Sequence, residues 1–451
     1  MTRVGIVGGG LAGMSAALRA ADAGTEVVLL ERRPFLGGLT TSIERRGVSF
    51  DNGQHVFLRC CSAYRDFIQR IGATEQVHLQ ARLSVPVLAP VARRATIARN
   101  SLPAPFHLVG SLARYRHLSV AERLRLLGAV TALRRLDIDD PTLDARSFGD
   151  WLTQHHQSDG AIDRLWDLIV RPTLNVGARD ASLALAAMVF QVGLLDERDA
   201  GDIGWSKIPL IELHGTLAAQ ALSDAGVEVV CNATVSSIDR RPDGRWAVRA
   251  GDRVHDVDAV IVATPARVAA SLGAVDASVA DALGASPIVN VHLVLDRRVT
   301  DLEFAAAVDS PIEFIFDRTA SSGVEPGQQC LSISLSAADE HIATPTDELV
   351  ASFFRALGEL MPAARAARLV DGFVTRERAA TFRASPGVGA HRPGAATAEP
   401  GVFLAGAWCH TGWPATMEGA VRSGNECADA ARAFASGTID DVSRRPERIV
   451  R

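Results

Sequence analysis

Residues 4–31 leave few folds open to this chain. Val4-Gly5-Ile6-Val7 reads as a short buried strand that runs into Gly8-Gly9-Gly10-Leu11-Ala12-Gly13, and a helical run from Met14 to Ala23 follows. Thr25–Leu30 reads as a second strand ending at Glu31, 18 positions after Gly13. Each part has a mechanical reason. Gly8 permits the tight turn, Gly10 lets the backbone approach a pyrophosphate, and Gly13 lets the helix pack on the strand. The helix start at Leu11 and Ala12 offers free N–H groups and positive potential to phosphates. Glu31 stands where a ribose hydroxyl would donate to it. The expectation is a parallel α/β sheet with a dinucleotide at its carboxyl edge.

Composition narrows the rest. A length of 451 residues allows two or three domains, and 47% hydrophobic against 22% charged residues excludes a mostly disordered chain. The formal net charge is −5 and the one lysine is Lys207, so no nucleic-acid partner is expected. The six cysteines form no C-x-x-C pair, so neither a metal site nor a disulfide scaffold is expected. Met1-Thr2-Arg3 leads directly into the first strand, with no apolar leader. The longest near-apolar stretch, Ala181 to Leu195, is too short to span a bilayer. These features predict a cytoplasmic protein, free or resting on a membrane surface.

Two further motifs carry a resemblance. Glu31-Arg32-Arg33-Pro34-Phe35-Leu36-Gly37-Gly38 reads E-x-R-x-x-x-G-G and resembles the second signature of the FAD-dependent amine oxidase and carotenoid desaturase superfamily. The resemblance places Arg32, Arg33 and Leu39 beside FAD, with Arg33 near the diphosphate, and lets Gly37-Gly38 pass close to the cofactor. Leu39 stands where the superfamily often has a basic residue. At the other end, Gly401–Gly406 reads as a strand, and Thr411 to Gly424 resembles the superfamily's C-terminal flavin motif, with a helix from Ala415 to Phe434. By resemblance Gly406, Ala407, Thr416 and Met417 line the flavin, and the Met417 amide donates to its O2. A helix N-terminus there would favour the negative charge of the reduced ring. Val235, after a helix (Glu212–Ala225) and a strand (Gly226–Val230), is the expected adenine contact. The resemblance implies a Rossmann-like FAD-binding domain of glutathione-reductase type, discontinuous over 1–78, 204–268 and 388–436. An α+β substrate domain, helical lid plus mixed sheet, would be interleaved at 79–203 and 269–387. Residues near 80–205 read as mostly helical, and 437–451 as a polar tail.

The substrate is approached from two sides. Amine oxidases of the superfamily carry Tyr before Met-Glu-Gly; here it is Thr416, and the only tyrosines are Tyr64 and Tyr115. An amine substrate is disfavoured. Asp51-Asn52-Gly53-Gln54-His55 is similar to the D-x-G-x-H segment of carotene desaturases. The full D-N-G-Q-H form, with Gly412-Trp413-Pro414-Ala415-Thr416-Met417-Glu418, resembles the squalene-associated branch, the hydroxysqualene dehydroxylases. That resemblance implies reduction of a polyprenoid lipid, hydroxysqualene, to squalene in hopanoid or triterpene biosynthesis, downstream of squalene-pathway synthases. Gly53, Gln54 and His55 would border the flavin. His55, Asp51 and Glu418 are the candidates for the acid or for polar positioning. A carotenoid desaturase or isomerase, and a prenyl-binding carrier without FAD, are the alternatives. Ser101 to Arg116 mixes Leu102, Phe106, Leu108, Val109 and Leu112 with Arg99, Arg114 and Arg116 at its edges, a pattern for docking on an anionic membrane face.

Overall fold

The computed structural model describes residues 2–91 and 93–437. The polar tail expected at 437–451 lies, apart from Gly437, outside the described residues. Five parallel strands form the first sheet, in the order Glu228–Val230, Glu26–Leu30, Arg3–Val7, Ala259–Val262, Val402–Leu404. All are short; the inner three and Val402–Leu404 are mostly aliphatic and buried, as a parallel sheet covered by helices requires, while the edge strand Glu228–Val230 is half-buried to exposed. The Leu11–Asp22 and Met417–Ala435 helices pack on it and against each other. Their contact is close because Gly424 sits on the Leu11–Asp22 helix: a Cβ there would lie 2.1 Å from the Ala12 carbonyl oxygen. A three-stranded antiparallel meander, Val235–Arg240, Trp246–Ala250 and Arg253–Val257, branches off before the fourth strand.

The second large sheet has seven strands. Leu369–Thr381, Ser286–Leu295, Gln329–Ser336, Phe314–Asp317 and Phe304–Ala307 run antiparallel, and Ser84–Ala89 and Arg93–Ala98 complete it. Alternation decides its faces. Val289, Val291, Leu293, Ile315 and Ile333 pack under the Thr346–Leu360 helix. Asn290, His292, Ser332 and Phe316 face the other way, where Asn290 and Ser332 bond residues of the 51–55 segment. Within the mostly helical segment near 80–205, Ser84–Ala89 and Arg93–Ala98 are strands that pair into this sheet. The Leu369–Thr381 strand went unread because its polar residues, Asp371, Thr375, Arg376 and Glu377, hide its β pattern.

A small sheet, Val56–Leu58, Ile203–Ser206 and Val77–Leu79, stands between the two large ones. Asp202, fully buried, pins it. Its Oδ1 accepts the Leu83 N–H (2.7 Å) and Arg99 Nε (2.6 Å), and its Oδ2 accepts Arg59 Nε (3.0 Å) and Arg99 Nη2 (2.9 Å). No helix among the described residues is long and apolar enough to cross a membrane.

Candidate functional site

The glycines at the N-terminal edge form a cradle. Gly8 has φ +110°, and a Cβ on Gly13 would sit 1.9 Å from the Gly8 carbonyl oxygen, so only glycine allows this turn. Gly10 and Gly38 approach each other so closely that a Cβ on Gly38 would lie 2.9 Å from Gly10 Cα. Glu31 fastens the two loops. Its Oε2 accepts the Gly9 N–H at 2.7 Å and its Oε1 the Arg33 N–H at 2.8 Å, while Arg33 donates to the Gly38 carbonyl at 2.9 Å. Each carboxylate oxygen keeps a lone pair for a ribose hydroxyl. No side chain caps the Leu11–Asp22 helix, so the amides of Leu11 and Ala12 are open to phosphate oxygens. Thr41, buried just after the double glycine, has a hydroxyl without a partner. A cradle that a Cβ would fill, uncapped amides and an orphaned hydroxyl all fit FAD. Arg32 and Leu39 are exposed, and Val235 begins the meander two residues after Ala233, whose N–H bonds the Glu31 carbonyl.

The C-terminal loop meets the cradle from the other side. Gly406 follows the last strand, its N–H donating to Ser423 Oγ at 3.0 Å, and Ala407 is half-buried beside it. The following helix begins at Met417, not Ala415, because Thr416 is its N-cap and accepts the Gly419 N–H at 3.2 Å. The Met417 and Glu418 amides remain free at its positive end. Arg392 holds this loop. Its guanidinium donates to the carbonyls of Cys409 (2.5 Å), Trp413 (2.7 Å), Ala407 (3.3 Å) and Trp408 (3.4 Å), and lies over the Phe382 ring. Burial lowers its pKa to about 10, so it stays charged at neutral pH. Arg392→Met should therefore loosen the loop, at a cost on the order of 3 kcal/mol for lost charge-assisted bonds. A titration of apoprotein with FAD should show affinity down about tenfold or more. Unchanged FAD affinity would show that the loop needs no clamp.

The 51–55 segment docks on the seven-stranded sheet. The Asn52 carbonyl accepts from Asn290 Nδ2 (3.1 Å) and Thr375 Oγ1 (3.0 Å), and Gln54 Nε2 donates to Ser332 Oγ (3.0 Å). Gly53 lies against Asn290, whose Oδ1 is buried and unpartnered. His55 Nδ1 is 3.0 Å from the Gly53 carbonyl, which fixes the proton on Nδ1 and leaves Nε2 as an acceptor. Burial lowers the His55 pKa, against the Gly53 carbonyl and Asp51, which raise it. His55 lines a small pocket of about 10 Å³, room for about one water, with Gln54, Trp205, Ser206, Phe316 and Arg318. Nearby, His214 is fully buried and bonded to Tyr64 Oη at 2.9 Å; loss of solvation, then the neighbouring His55, push its pKa down to about 3.

Two acid candidates are corrected. Glu418 turns away from the flavin loop. Its carboxylate accepts the Ala63 (3.2 Å) and Tyr64 (2.7 Å) N–H groups at the start of the Ser62–Arg70 helix and pairs with Arg422 at 2.6 Å. Asp51 is equally committed. It accepts the Ser42 hydroxyl (2.7 Å) and the Leu210 N–H (3.0 Å) and pairs with Arg318 at 2.8 Å. Both carboxylates are filled with donors from the protein itself. Arg318 and Arg392 were not assigned roles from the sequence, because nothing local to either marks it.

Fold and site together define a flavoprotein oxidoreductase. The model of the flavin-containing amine oxidoreductases matches residues 11–432, and the chain belongs to that family. It is an FAD-dependent enzyme. A hydroxysqualene dehydroxylase from Zymomonas mobilis is 28% identical over 446 residues, covering 94% of this chain and 98% of that protein. A probable zeta-carotene desaturase from Synechococcus elongatus is 25% identical, covering 95% and 98%. Among solved structures, a cyclohexylamine oxidase from Brevibacterium oxydans superposes with a TM-score of 0.71 at 18% identity, over 97% of this chain and 99% of that one, a likeness of fold.

Proposed function

We propose that this enzyme reduces a polyprenoid alcohol, hydroxysqualene, to squalene. The observation that carries the reading is the state of its tyrosines and Thr416. Tyr64 and Tyr115 are fully buried with their hydroxyls bonded to His214 and the Arg164 carbonyl, and Thr416 is spent as a helix cap. No tyrosine is free to form an amine-binding cage. Lys207 is exposed. The similarity to the Zymomonas dehydroxylase over nearly all of both chains supports the same reading.

In this reading residues 1–78, 204–268 and 388–436 hold FAD, and 79–203 and 269–387 hold the lipid. FAD held there would, when reduced, be the source of the hydride that replaces the substrate's hydroxyl, which takes up a proton and leaves as water. The chain's part is to place that hydroxyl, to protonate it and to keep other water out. His55 Nε2 is a free polar atom of the pocket, and Trp205 and Phe316 supply its apolar walls. The Asp51–Arg318 pair holds the segment that carries His55. A lipid of this kind partitions into bilayers, so we place the enzyme on the inner face of the plasma membrane, downstream of the squalene-pathway synthases.

The test is anaerobic. Hydroxysqualene added to the reduced holoenzyme should reoxidise the flavin and yield squalene in equal amounts. If phytoene instead reduces the oxidised flavin, the enzyme is a desaturase and this reading is wrong. The pH profile tests His55. With its pKa below the ordinary 6.5, the protonated fraction is small at pH 7 and grows on acidification. Dehydroxylation should quicken from pH 8 to pH 6, and His55→Gln should abolish that slope while FAD binding persists. A slope unchanged in the variant would remove His55 from the proton transfer.

A further inference from the structure

The Leu102–Leu127 lobe exposes apolar side chains that none of the described residues covers. Of the fourteen large hydrophobic residues exposed among the described residues, six lie here: Leu102, Phe106, Val109, Val120, Leu124 and Leu127. Val120, Leu124 and Leu127 recur at i, i+4 and i+7 on the Val120–Leu133 helix and form one outward stripe. The opposite side of the same helix buries Leu126, Ala129 and Leu133. The helix is therefore apolar on two faces, and only one has a partner among the described residues. Arg123 donates to the Ala113 carbonyl, which ties the first turn of this helix to the end of the Val109–Leu112 turn and joins both apolar groups in one lobe.

The charge around the stripe is one-sided. Residues 99–135 hold seven arginines and one acidic residue, Glu122, a net of +6 in a chain whose formal net charge is −5. Arg99 is spent on Asp202, and Glu122 on Ser119 and Ser158. Arg114, Arg116, Arg125, Arg134 and Arg135 are exposed, and none has a carboxylate within 4.0 Å among the described residues. Arginines over exposed aliphatic and phenyl groups suit a bilayer with anionic headgroups, where the cations meet phosphates and the apolar groups enter the acyl boundary. A soluble acidic partner would satisfy the arginines and leave Phe106 and Leu124, 59% and 65% exposed, in water.

We propose that the Leu102–Leu127 lobe docks this enzyme on the surface of an anionic bilayer. The inference rests on the lipid-substrate reading above and adds the surface and the headgroup charge. The test is co-sedimentation of holoenzyme with vesicles of phosphatidylcholine alone or with 30% phosphatidylglycerol. Binding should be at least tenfold tighter to the anionic vesicles and should weaken steeply with salt. The exposed double variants Phe106→Ser/Leu124→Ser and Arg116→Glu/Arg125→Glu should each lose tenfold or more on those vesicles. Their flavin absorbance, and their turnover of hydroxysqualene in detergent micelles, should match the parent enzyme. Equal binding to both vesicle types, wild-type binding by either variant, or retention on heparin without vesicle binding would each overturn the proposal. Vesicle binding without micellar turnover would sink the substrate reading and leave the docking surface standing; turnover without vesicle binding would do the reverse.

Discussion

Gly13→Ala is expected to yield a chain that folds in outline but purifies without the yellow of bound FAD. The added Cβ falls 1.9 Å from the Gly8 carbonyl oxygen. That carbonyl cannot retreat, because Gly8 N–H is bonded to the Leu30 carbonyl at 2.8 Å and its φ of +110° is fixed by the turn. The helix start must move instead, and with it the uncapped amides of Leu11 and Ala12. Overpacking of this kind costs about 1–3 kcal/mol, or about tenfold to a hundredfold in FAD affinity. Gly128→Ala is the control: it sits in the Val120–Leu133 helix with nothing within 4 Å of a new Cβ, and should be neutral or slightly stabilising. Measured FAD dissociation constants that do not separate the two variants would remove the cradle from the account of cofactor binding.

Asp202→Asn should be the most damaging single change away from the cofactor. The carboxylate is fully buried, and the substitution leaves Arg99, itself 9% exposed, without its charge partner. Breaking a buried pair by removing one side costs about 3–5 kcal/mol. In a thermal melt the apparent Tm should fall by roughly 5–10 °C. Burial alone would raise the Asp202 pKa, but Arg99, the Leu83 N–H and Arg59 outweigh it and hold it below the ordinary 3.8. The stabilisation is then complete above that pH and fades as the pH falls through the depressed value. The variant should lack this acid-side dependence. A melt within about 2 °C of the parent, with the same acid sensitivity, would show that the three strands it joins hold together without it.

The parts of the molecule that could be read from the sequence are those whose cause is local. Gly8, Gly13 and Gly38 answer to backbone contacts at turns, so their spacing alone marks the turns. Thr416 is a borderline case. A threonine before a helical run is a cap signal, yet the proline at 414 drew the predicted helix start two residues early. For Glu418 and Asp51 the sequence leaves acid and polar positioning both open, because what fills their carboxylates lies far along the chain: the Ala63 and Tyr64 amides for one, Arg318 for the other. Arg392 was invisible for the same reason in reverse. Four carbonyls of a loop that begins 15 residues later define its role, and carbonyls leave no mark in a sequence.

The first sheet also sets a schedule. Its strands come from residues 3–7, 26–30, 228–230, 259–262 and 402–404, and the helix that closes the flavin loop ends at Ala435. A growing chain on the ribosome thus holds the glycine cradle long before it has the other wall. FAD can be captured only after the Met417–Ala435 helix has been made. Pairings this distant in sequence form slowly, so the newborn apoprotein is expected to expose the edges of this sheet to chaperones and proteases until they close. A cell short of flavin would lose this protein by degradation rather than accumulate it empty.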